Sequence, residues 1–211
     1  MPCDEGALTS PGRYAILLGQ KAQWDREMKT EIPLAQVHRL LAARPTCLLT
    51  TRYKGQVNVM AIAWVCPVSL APPLVMLAIH PSHYTHDMLR RSEEAVLNIP
   101  GRPLAEQVLQ CGTLSGEDVD KVEATGLTLE SGQRVEVPWI DECLAHLECV
   151  VVDMLAPGDH TLFIAEVLGA WAEEEAFDDV WLQPQDNEEL LPLHHLGGRR
   201  FCLMGRSILM P

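Results

Sequence analysis

No charged residue occurs in residues 55–79, and an uncharged stretch of that length resembles a membrane-spanning helix. Three prolines, Pro67, Pro72 and Pro73, interrupt the stretch, and a proline inside a helix costs about 3 kcal/mol. Continuous apolar runs bounded by turn residues are instead typical of buried β-strands. The stretch therefore predicts two buried strands, at 57–65 and 74–79, joined by a proline-rich corner.

Further strand patterns follow along the chain, separated by short turns. We predict strands at 46–52, 95–99, 143–155, 161–171 and 201–204, the last of which would close the sheet. Lys54-Gly55 and the segment APGDH (156–160) are predicted hairpin turns. Because strands do not alternate regularly with helices, the predicted fold class is mainly β and antiparallel, with short peripheral helices.

Four short helices are predicted around these strands. The first follows Pro33 and places apolar side chains on one face: Leu34, Val37, Leu40 and Leu41. The others are expected at 84–91, 103–110 and 117–124, and the last two end near a glycine.

Length and composition bound the domain organisation. The chain has 211 residues, of which 47% are hydrophobic and 21% charged, as expected for one well-packed domain. Residues 1–27 have no clear period and precede Met28, so we expect a leader that is poorly ordered or not native, followed by a single domain at 28–211. The net charge of −13 argues against nucleic-acid binding, which depends on lysines and arginines.

Seven cysteines at irregular spacings, without a CxxC pair or an apolar N-terminal signal segment, predict reduced thiols in a cytoplasmic protein. Cys47, Cys66, Cys149 and Cys202 lie in apolar runs and are expected to act as small core residues. The role of Cys111, which precedes Gly112, stays open.

The segment 80–87 (HPSHYTHD) joins a predicted strand to a predicted helix. Backbone N–H groups and hydroxyls at such a place can hold a phosphate, or Ser82 or Thr85 can simply cap the helix. His80, His83 and His86 also suggest a metal, but their spacing crosses a proline and no further ligand is placed nearby, so no metal is predicted.

Two further polar residues are candidates for a site. His160 lies at a hairpin tip, where it either donates to a ligand or is simply an exposed turn residue. Lys121 lies among carboxylates and is either a ligand contact, a partner of Glu117 or Asp118, or a solvated lysine.

Several catalytic motifs are absent from the sequence: G-x-G-x-x-G after a strand, G-x-x-x-x-G-K-[ST], G-x-S-x-G and H-E-x-x-H. No side chain is therefore predicted to be catalytic, and the chemistry is expected to belong to a bound cofactor.

Six segments, taken in order, resemble the flavin reductase-like FMN-binding split barrels of the flavoredoxin type. They are NVMAIAW, SLAPPLV, SHYTHDML with VLNIP, CGTLSGEDVDK, LECVVVDMLAPGDHTLFIAEV and PLHHLGGRRF. The resemblance runs from Thr46 to Gly205 and leaves the first 27 residues outside.

The resemblance implies a homodimer of split β-barrels that binds FMN non-covalently near the dimer interface. By position, the flavin contacts would be Asn58, Trp64, Thr85, Lys121, His160 and Leu193, and Ser82 and His83 share the expected phosphate loop. Two positions depart from the pattern: Glu117 stands where relatives commonly carry a basic residue, and Val122 replaces an aromatic one.

The predicted function is that of an FMN-binding oxidoreductase that transfers a hydride or electrons from NADH, NADPH or a protein donor. One alternative is an FMN electron carrier that catalyses nothing by itself and exchanges electrons with a redox partner protein. The other is a flavin-binding protein that stores or senses the cofactor. The sequence decides neither the donor nor the final acceptor.

Overall fold

A computed structural model describes residues 33–41, 44–184 and 186–205 of the chain. The chain divides into two compact units, Met1–Val37 and His38–Pro211, and only residues 33–37 of the first are described. The predicted leader at 1–27 lies outside the described residues, and the predicted single domain at 28–211 stays a prediction.

A seven-stranded antiparallel sheet dominates the second unit, with strand order β3-β2-β6-β9-β10-β5-β4. Its strands are β2 (Cys47–Tyr53), β3 (Gln56–Ile62), β4 (Val65–Leu70), β5 (Pro73–Ile79), β6 (Glu94–Ile99), β9 (Ala145–Leu155) and β10 (Thr161–Ala172). The β2–β3 and β9–β10 hairpins are those predicted from the turn residues. The mainly β, antiparallel prediction is confirmed.

Three smaller sheets flank this one in the described residues. They are formed by β1 (Arg44–Pro45) with β13 (Leu193–Gly197) and β14 (Arg200–Leu203), by β7 (Leu129–Glu130) with β8 (Trp139–Ile140), and by β11 (Phe177–Asp178) with β12 (Val180–Trp181). The predicted strand at 201–204 therefore exists, but it pairs with β13 and does not close the main sheet. The sequence analysis missed β13 as its partner.

The helices are α1 (Tyr84–Ser92), α2 (Ala105–Thr113) and α3 (Lys121–Thr125), with 3-10 helices at Leu34–Leu41, Arg102–Leu104 and Glu188–Leu190. The third predicted helix begins later than 103, after a 3-10 turn, and the fourth begins at Lys121, where Asp120 caps it. The first is a 3-10 helix, on which Leu34 and Leu40 are exposed, so its apolar pattern does not mark a buried face.

The predicted strand at 57–65 divides into β3 and the start of β4. These two strands lie at opposite ends of the strand order, and Ala63-Trp64, which belong to neither strand, connect them. Pro67 lies in β4, an edge strand, next to a register shift, and both are places where a sheet tolerates proline. No helix in the described part of the chain is long and apolar enough to cross a membrane.

Both faces of the central strands are buried, which explains their continuous apolar sequences. In β2, Leu49 packs with Leu77, Leu97 and Phe163 in one core cluster, while its neighbour Leu48 packs with helix α2 in a second. Alternation of side chains across a strand places successive residues on opposite faces.

Polar residues are also buried in this unit, and four of them, which we call the inner polar network, each have a hydrogen-bond partner within the protein: Thr50, Asn98, His146 and Glu148. The Glu148 carboxylate, fully buried, accepts from the backbone N–H groups of Gln133, at 2.7 Å, of Arg134, and of Val135, at 3.1 Å. These bonds fix the segment between β7 and β8 against the sheet.

Thr50 and Asn98, two other members of the inner polar network, also attach residues near β8 to the main sheet. Asn98 Oδ1 accepts from the Ile140 N–H at 2.9 Å and from His146 Nδ1 at 3.0 Å. Thr50 donates its hydroxyl to the Pro138 carbonyl at 2.7 Å. The His146 ring stacks on Trp139, and burial lowers the pKa of His146 to about 4.

Candidate functional site

A cavity of about 670 Å³ opens between the β3–β4 corner and the N-terminus of α1. The connection from α2 to α3, the β9–β10 turn and the β13–β14 hairpin complete its wall. Six of the eight predicted contact residues line it: Trp64, Ser82, His83, Thr85, Lys121 and His160. The fold therefore brings together side chains that lie far apart in the sequence.

Trp64 lies at the corner between the two edge strands. Its indole stacks on the His160 imidazole, with ring centroids 4.7 Å apart and an interplanar angle of 29°. Trp64 is 37% exposed, so part of its apolar side chain remains open to a ligand.

The N-terminus of α1 has no side-chain cap. His83 is the N-cap residue and makes no capping bond, so the alternative prediction of a cap by Ser82 or Thr85 is wrong. Free N–H groups at the start of a helix, together with the helix dipole, attract anions. Residues 82–85 all lie on the cavity wall, so this helix end favours an anionic ligand.

Ser82 is partly occupied by a neighbouring histidine. The Ser82 N–H donates to His80 Nδ1 at 3.2 Å, and Ser82 Oγ lies 2.8 Å from the same nitrogen. A ring nitrogen that accepts an N–H carries no proton, so we assign the hydroxyl as a second donor to it. Ser82 must leave His80 before its hydroxyl can donate to an anion.

Thr85 is better prepared to donate. Its Oγ1 accepts a hydrogen bond from Asn58 Nδ2 at 2.7 Å, and no hydrogen bond between described residues uses the Thr85 hydroxyl as a donor. Asn58 itself is buried behind Thr85 and does not line the cavity, contrary to its predicted role as a direct contact. It acts on the site through Thr85.

The loop after α2 approaches this pair closely at Gly116. A Cβ atom there would lie 2.8 Å from the Tyr84 ring and would also collide with the Asn58 amide. Only glycine lets the loop lie against the start of α1, which brings Ser115 to the cavity wall.

Lys121, at the start of α3, is buried, with 6% of its surface exposed. Its Nζ donates to the Cys111 carbonyl at 2.9 Å, and no ion pair with Glu117 or Asp118 forms. Both structural alternatives, an ion pair and a solvated lysine, are therefore wrong. An ammonium has three N–H donors, so Lys121 keeps donors for a ligand. Burial lowers the pKa of Lys121.

His160, a residue of the cavity wall, contacts three neighbours: Trp64, His80 and Asp159. Its Nδ1 lies 2.7 Å from the Asp159 carboxylate, whose pKa this hydrogen bond lowers. Its ring also meets His80 edge-on, at 5.2 Å between centroids. With Nδ1 bound to Asp159, Nε2 is the nitrogen left for a ligand.

The charge of the wall differs from that of the chain. No carboxylate lines the cavity in the described part of the chain, although the chain as a whole carries −13. Lys121, His83, His160 and His195 do line it. Burial, followed by the charges of His80, His160 and Lys121, lowers the pKa of His83. The polar part of the wall therefore consists of donors and potential cations, without a carboxylate among the described residues.

Sequence reasoning missed part of this wall. Thr46 Oγ1 is buried without a hydrogen-bond partner, and its residue lines the cavity, as do His195 and Phe201 of the β13–β14 hairpin. His195 and Phe201 belong to the segment PLHHLGGRRF, but no local pattern shows which of its side chains face inward.

Two residues singled out from the sequence have other roles. Leu193 is buried in the second core cluster and does not line the cavity, so its predicted contact with a flavin is not supported. Cys111 does line the cavity, but burial raises the pKa of its thiol to about 11, so it is a neutral thiol at pH 7. No group of three or more described His, Cys, Asp or Glu side chains is arranged to hold a metal ion.

Comparison with known proteins identifies the fold. The model of the flavin reductase like domain matches residues 39–200. A solved FMN-binding domain of a flavin reductase-like enzyme from Shewanella baltica is 29% identical, covers 86% of this chain and 97% of its own, and superposes with a TM-score of 0.73. Flavoredoxin from Methanosarcina acetivorans is 27% identical, with coverage of 79% and 88% and a TM-score of 0.70. The split-barrel prediction is thereby confirmed.

Relatives by sequence include an uncharacterized protein of Pyrococcus abyssi, 38% identical over 67% of this chain and 81% of its own length. The NADH-dependent flavin reductase StyB of Pseudomonas fluorescens is 27% identical over 63% of this chain and 73% of its own length.

Proposed function

This chain belongs to the flavin reductase-like family, and from that premise we propose that it binds one FMN in the cavity and works as an FMN-dependent oxidoreductase. The observation that carries the proposal is the composition of the wall, where a buried lysine, histidines, hydroxyls and an uncapped helix end meet without a carboxylate. FMN carries a phosphate dianion, and such a wall suits it.

The residues present fit this cofactor. The Thr85 hydroxyl has no acceptor in the described residues, Lys121 keeps free N–H donors, and Thr46 Oγ1 is buried without a partner beside the cavity. Buried polar atoms are normally paired, so these groups indicate a polar ligand. The two departures from the family pattern do not oppose it: Glu117 lies off the wall, and Val122 packs on the second core cluster.

We assign Thr85, Lys121 and the first turn of α1 to the phosphate, with Ser82 and His83 beside them. Trp64 and His160 are assigned to the flavin ring, the first by apolar contact and the second by a hydrogen bond from Nε2 of the imidazolium, whose Nδ1 donates to Asp159. A donor at the polar edge of the ring stabilises negative charge there. FMN itself supplies the hydride and electron transfer, so no side-chain nucleophile or base is required.

A comparison of ligands tests the phosphate assignment. FMN should bind about tenfold or more tightly than riboflavin, because riboflavin lacks the charge-assisted hydrogen bonds, each worth roughly 1.5–3 kcal/mol. Flavin fluorescence quenching measures both affinities. Equal affinities would overturn the assignment.

We further propose NADH or NADPH as the electron donor, supported by the NADH-dependent relative StyB. The visible spectrum of the FMN-loaded protein tests this. Rapid bleaching of the flavin band by NADH or NADPH supports an enzyme, whereas bleaching by dithionite alone supports an electron carrier or a flavin-binding protein.

A homodimer is proposed because three strands of the main sheet expose large apolar side chains. Leu70, in the edge strand β4, is 94% exposed, and Val152 in β9 and Leu168 in β10 are also exposed. Large exposed apolar groups on an edge strand and on the face of a sheet favour association. Sedimentation of the FMN-loaded protein as a monomer would contradict the proposal.

A further inference from the structure

Aromatic rings form a row along one side of the cavity mouth. Trp64 stacks on His160, His160 meets His80, and His80 lies 6.0 Å from His83. The β13–β14 hairpin adds a second pair to the cavity wall, with the His195 and Phe201 rings 5.4 Å apart. Only Trp64 and His160 of these rings are assigned to the flavin ring, and His83 to the FMN phosphate, so the others are available to a second ligand.

Arg44 connects the two parts of the row. It is the register partner of His195 across the β1–β13 pair, and its guanidinium lies 5.6 Å from the centre of the Trp64 ring. One guanidinium N–H group donates to the His38 carbonyl at 2.8 Å. A guanidinium stacked on an aromatic face keeps its edge donors directed outward.

No carboxylate neutralises Arg44 within the described ranges. The ion pairs there join Arg90 and Arg91 to Asp87, Arg102 to Glu188 and His160 to Asp159. The described aromatic contacts of the Trp64 ring are with His38 and His160, and neither of these side chains is a carboxylate. Arg44 thus lies beside a residue of the cavity wall without a carboxylate partner among the described residues, in a chain with a net charge of −13.

We infer that Arg44 is the anion-recognition residue for a second ligand, a nicotinamide nucleotide, which it holds by the phosphates beside the Trp64 ring. The inference rests on the proposed function and deepens it by assigning the electron donor a binding residue. Arg44 is not on the cavity wall, whereas Thr85 and Lys121 are, so the two phosphate groups have separate cations. Bidentate contact with a phosphate is the geometry for which arginine is suited.

Binding of NAD⁺ to the FMN-loaded protein, followed by calorimetry, tests the inference directly. Arg44→Gln should bind NAD⁺ about tenfold or more weakly than the wild type, because a charge-assisted contact is lost. Arg44→Lys should lie between them, since it keeps the charge without the planar fork. Arg199→Gln is the matched control: it removes the same charge from an exposed turn of the neighbouring hairpin and should leave binding unchanged.

A donor without phosphate provides the second readout. The rate of flavin reduction by 1-benzyl-1,4-dihydronicotinamide should be the same in Arg44→Gln and the wild type, while the KM for NADH rises. Equal NAD⁺ affinity in Arg44→Gln and the wild type, no NAD⁺ binding by the wild type, or an equal loss with both donors would overturn the inference.

The FMN titration of the same preparations separates the two proposals. If FMN does not bind, the proposed function fails. If FMN binds normally and NAD⁺ binding is independent of Arg44, only the present inference fails. Should Arg44→Gln not fold, judged by circular dichroism, Arg44→Lys alone decides: an affinity equal to that of the wild type would overturn the inference.

Discussion

The inner polar network and the cavity wall both bury polar side chains, but they differ in where their hydrogen bonds go. Glu148 and Asn98 have partners in the protein, chiefly backbone groups of the segment between β7 and β8. On the cavity wall, within the described ranges, the Thr85 and Thr46 hydroxyls lack acceptors and Lys121 donates to one carbonyl.

The difference separates structural polar groups from those kept for a ligand. A buried polar group without a partner costs about 1–3 kcal/mol, so a folded chain keeps few of them unless something else satisfies them. Substitutions in the network should therefore reduce stability, and substitutions on the wall should reduce FMN binding with little effect on stability.

The largest effect is expected for Glu148→Gln. The amide places an NH₂ group against backbone N–H donors, so the free energy of unfolding should fall by at least about 3 kcal/mol. Urea denaturation measures it, with the exposed Glu130→Gln as the matched control. FMN affinity of the folded variant should be unchanged. A loss of unfolding free energy under about 1 kcal/mol would contradict the assignment of Glu148 as a group that stabilises the fold.

The second prediction concerns pH. His146 has a pKa of about 4 in the folded protein, below the ordinary 6.5. Above pH 6.5 neither the folded nor the unfolded state carries the proton, and between 6.5 and 4 mainly the unfolded state binds it, so stability falls as the pH falls. From pH 7.5 to 4.5 the loss due to His146 should be about 2.5 kcal/mol.

His146→Asn isolates this contribution, because carboxylates titrate in the same range. Between pH 7.5 and 4.5 the free energy of unfolding of the variant should fall by about 2.5 kcal/mol less than that of the wild type. Identical pH profiles by urea denaturation would show that His146 is protonated as readily in the folded state as in the unfolded one.

Lys121→Gln addresses the cavity wall. FMN should bind about tenfold or more weakly, because a charge-assisted contact with the phosphate is lost. Stability should be nearly unchanged, since removing a buried charge relieves its desolvation. Because burial lowers the pKa of Lys121, FMN affinity of the wild type should also decline with rising pH before the ordinary 10.5 is reached. Unchanged FMN affinity in fluorescence titrations would reject the assignment.

The smallest effect is expected for His160→Ala. The ring is partly exposed and shares its stacking with Trp64, so FMN affinity should fall a few-fold and the flavin potential should shift downward. The exposed His38→Ala is a control for loss of a ring beside the same indole. A spectroelectrochemical titration with no shift in potential would leave His160 as a packing residue only.

Local sequence patterns predicted most of the sheet and the start of α1. The hairpin at 143–171 follows from two long apolar runs and a PGD turn, and α1 begins at Tyr84, just after Pro81 and Ser82. The family motifs also selected six residues that do line one cavity, including Trp64 and Lys121. These features depend on neighbours in the sequence or on whole motifs, so they can be read without coordinates.

Only the tertiary structure decided which of these side chains are free to act. The burial of Lys121, the position of Asn58 behind Thr85 and the packing of Leu193 in the core depend on contacts between distant segments. The division of the predicted strand 57–65 at Ala63-Trp64, between two strands at opposite ends of the strand order, was likewise decided by the tertiary structure. A local pattern fixes the direction of a side chain relative to its own strand or helix, whereas its hydrogen-bond partners are set by the packing of the whole unit.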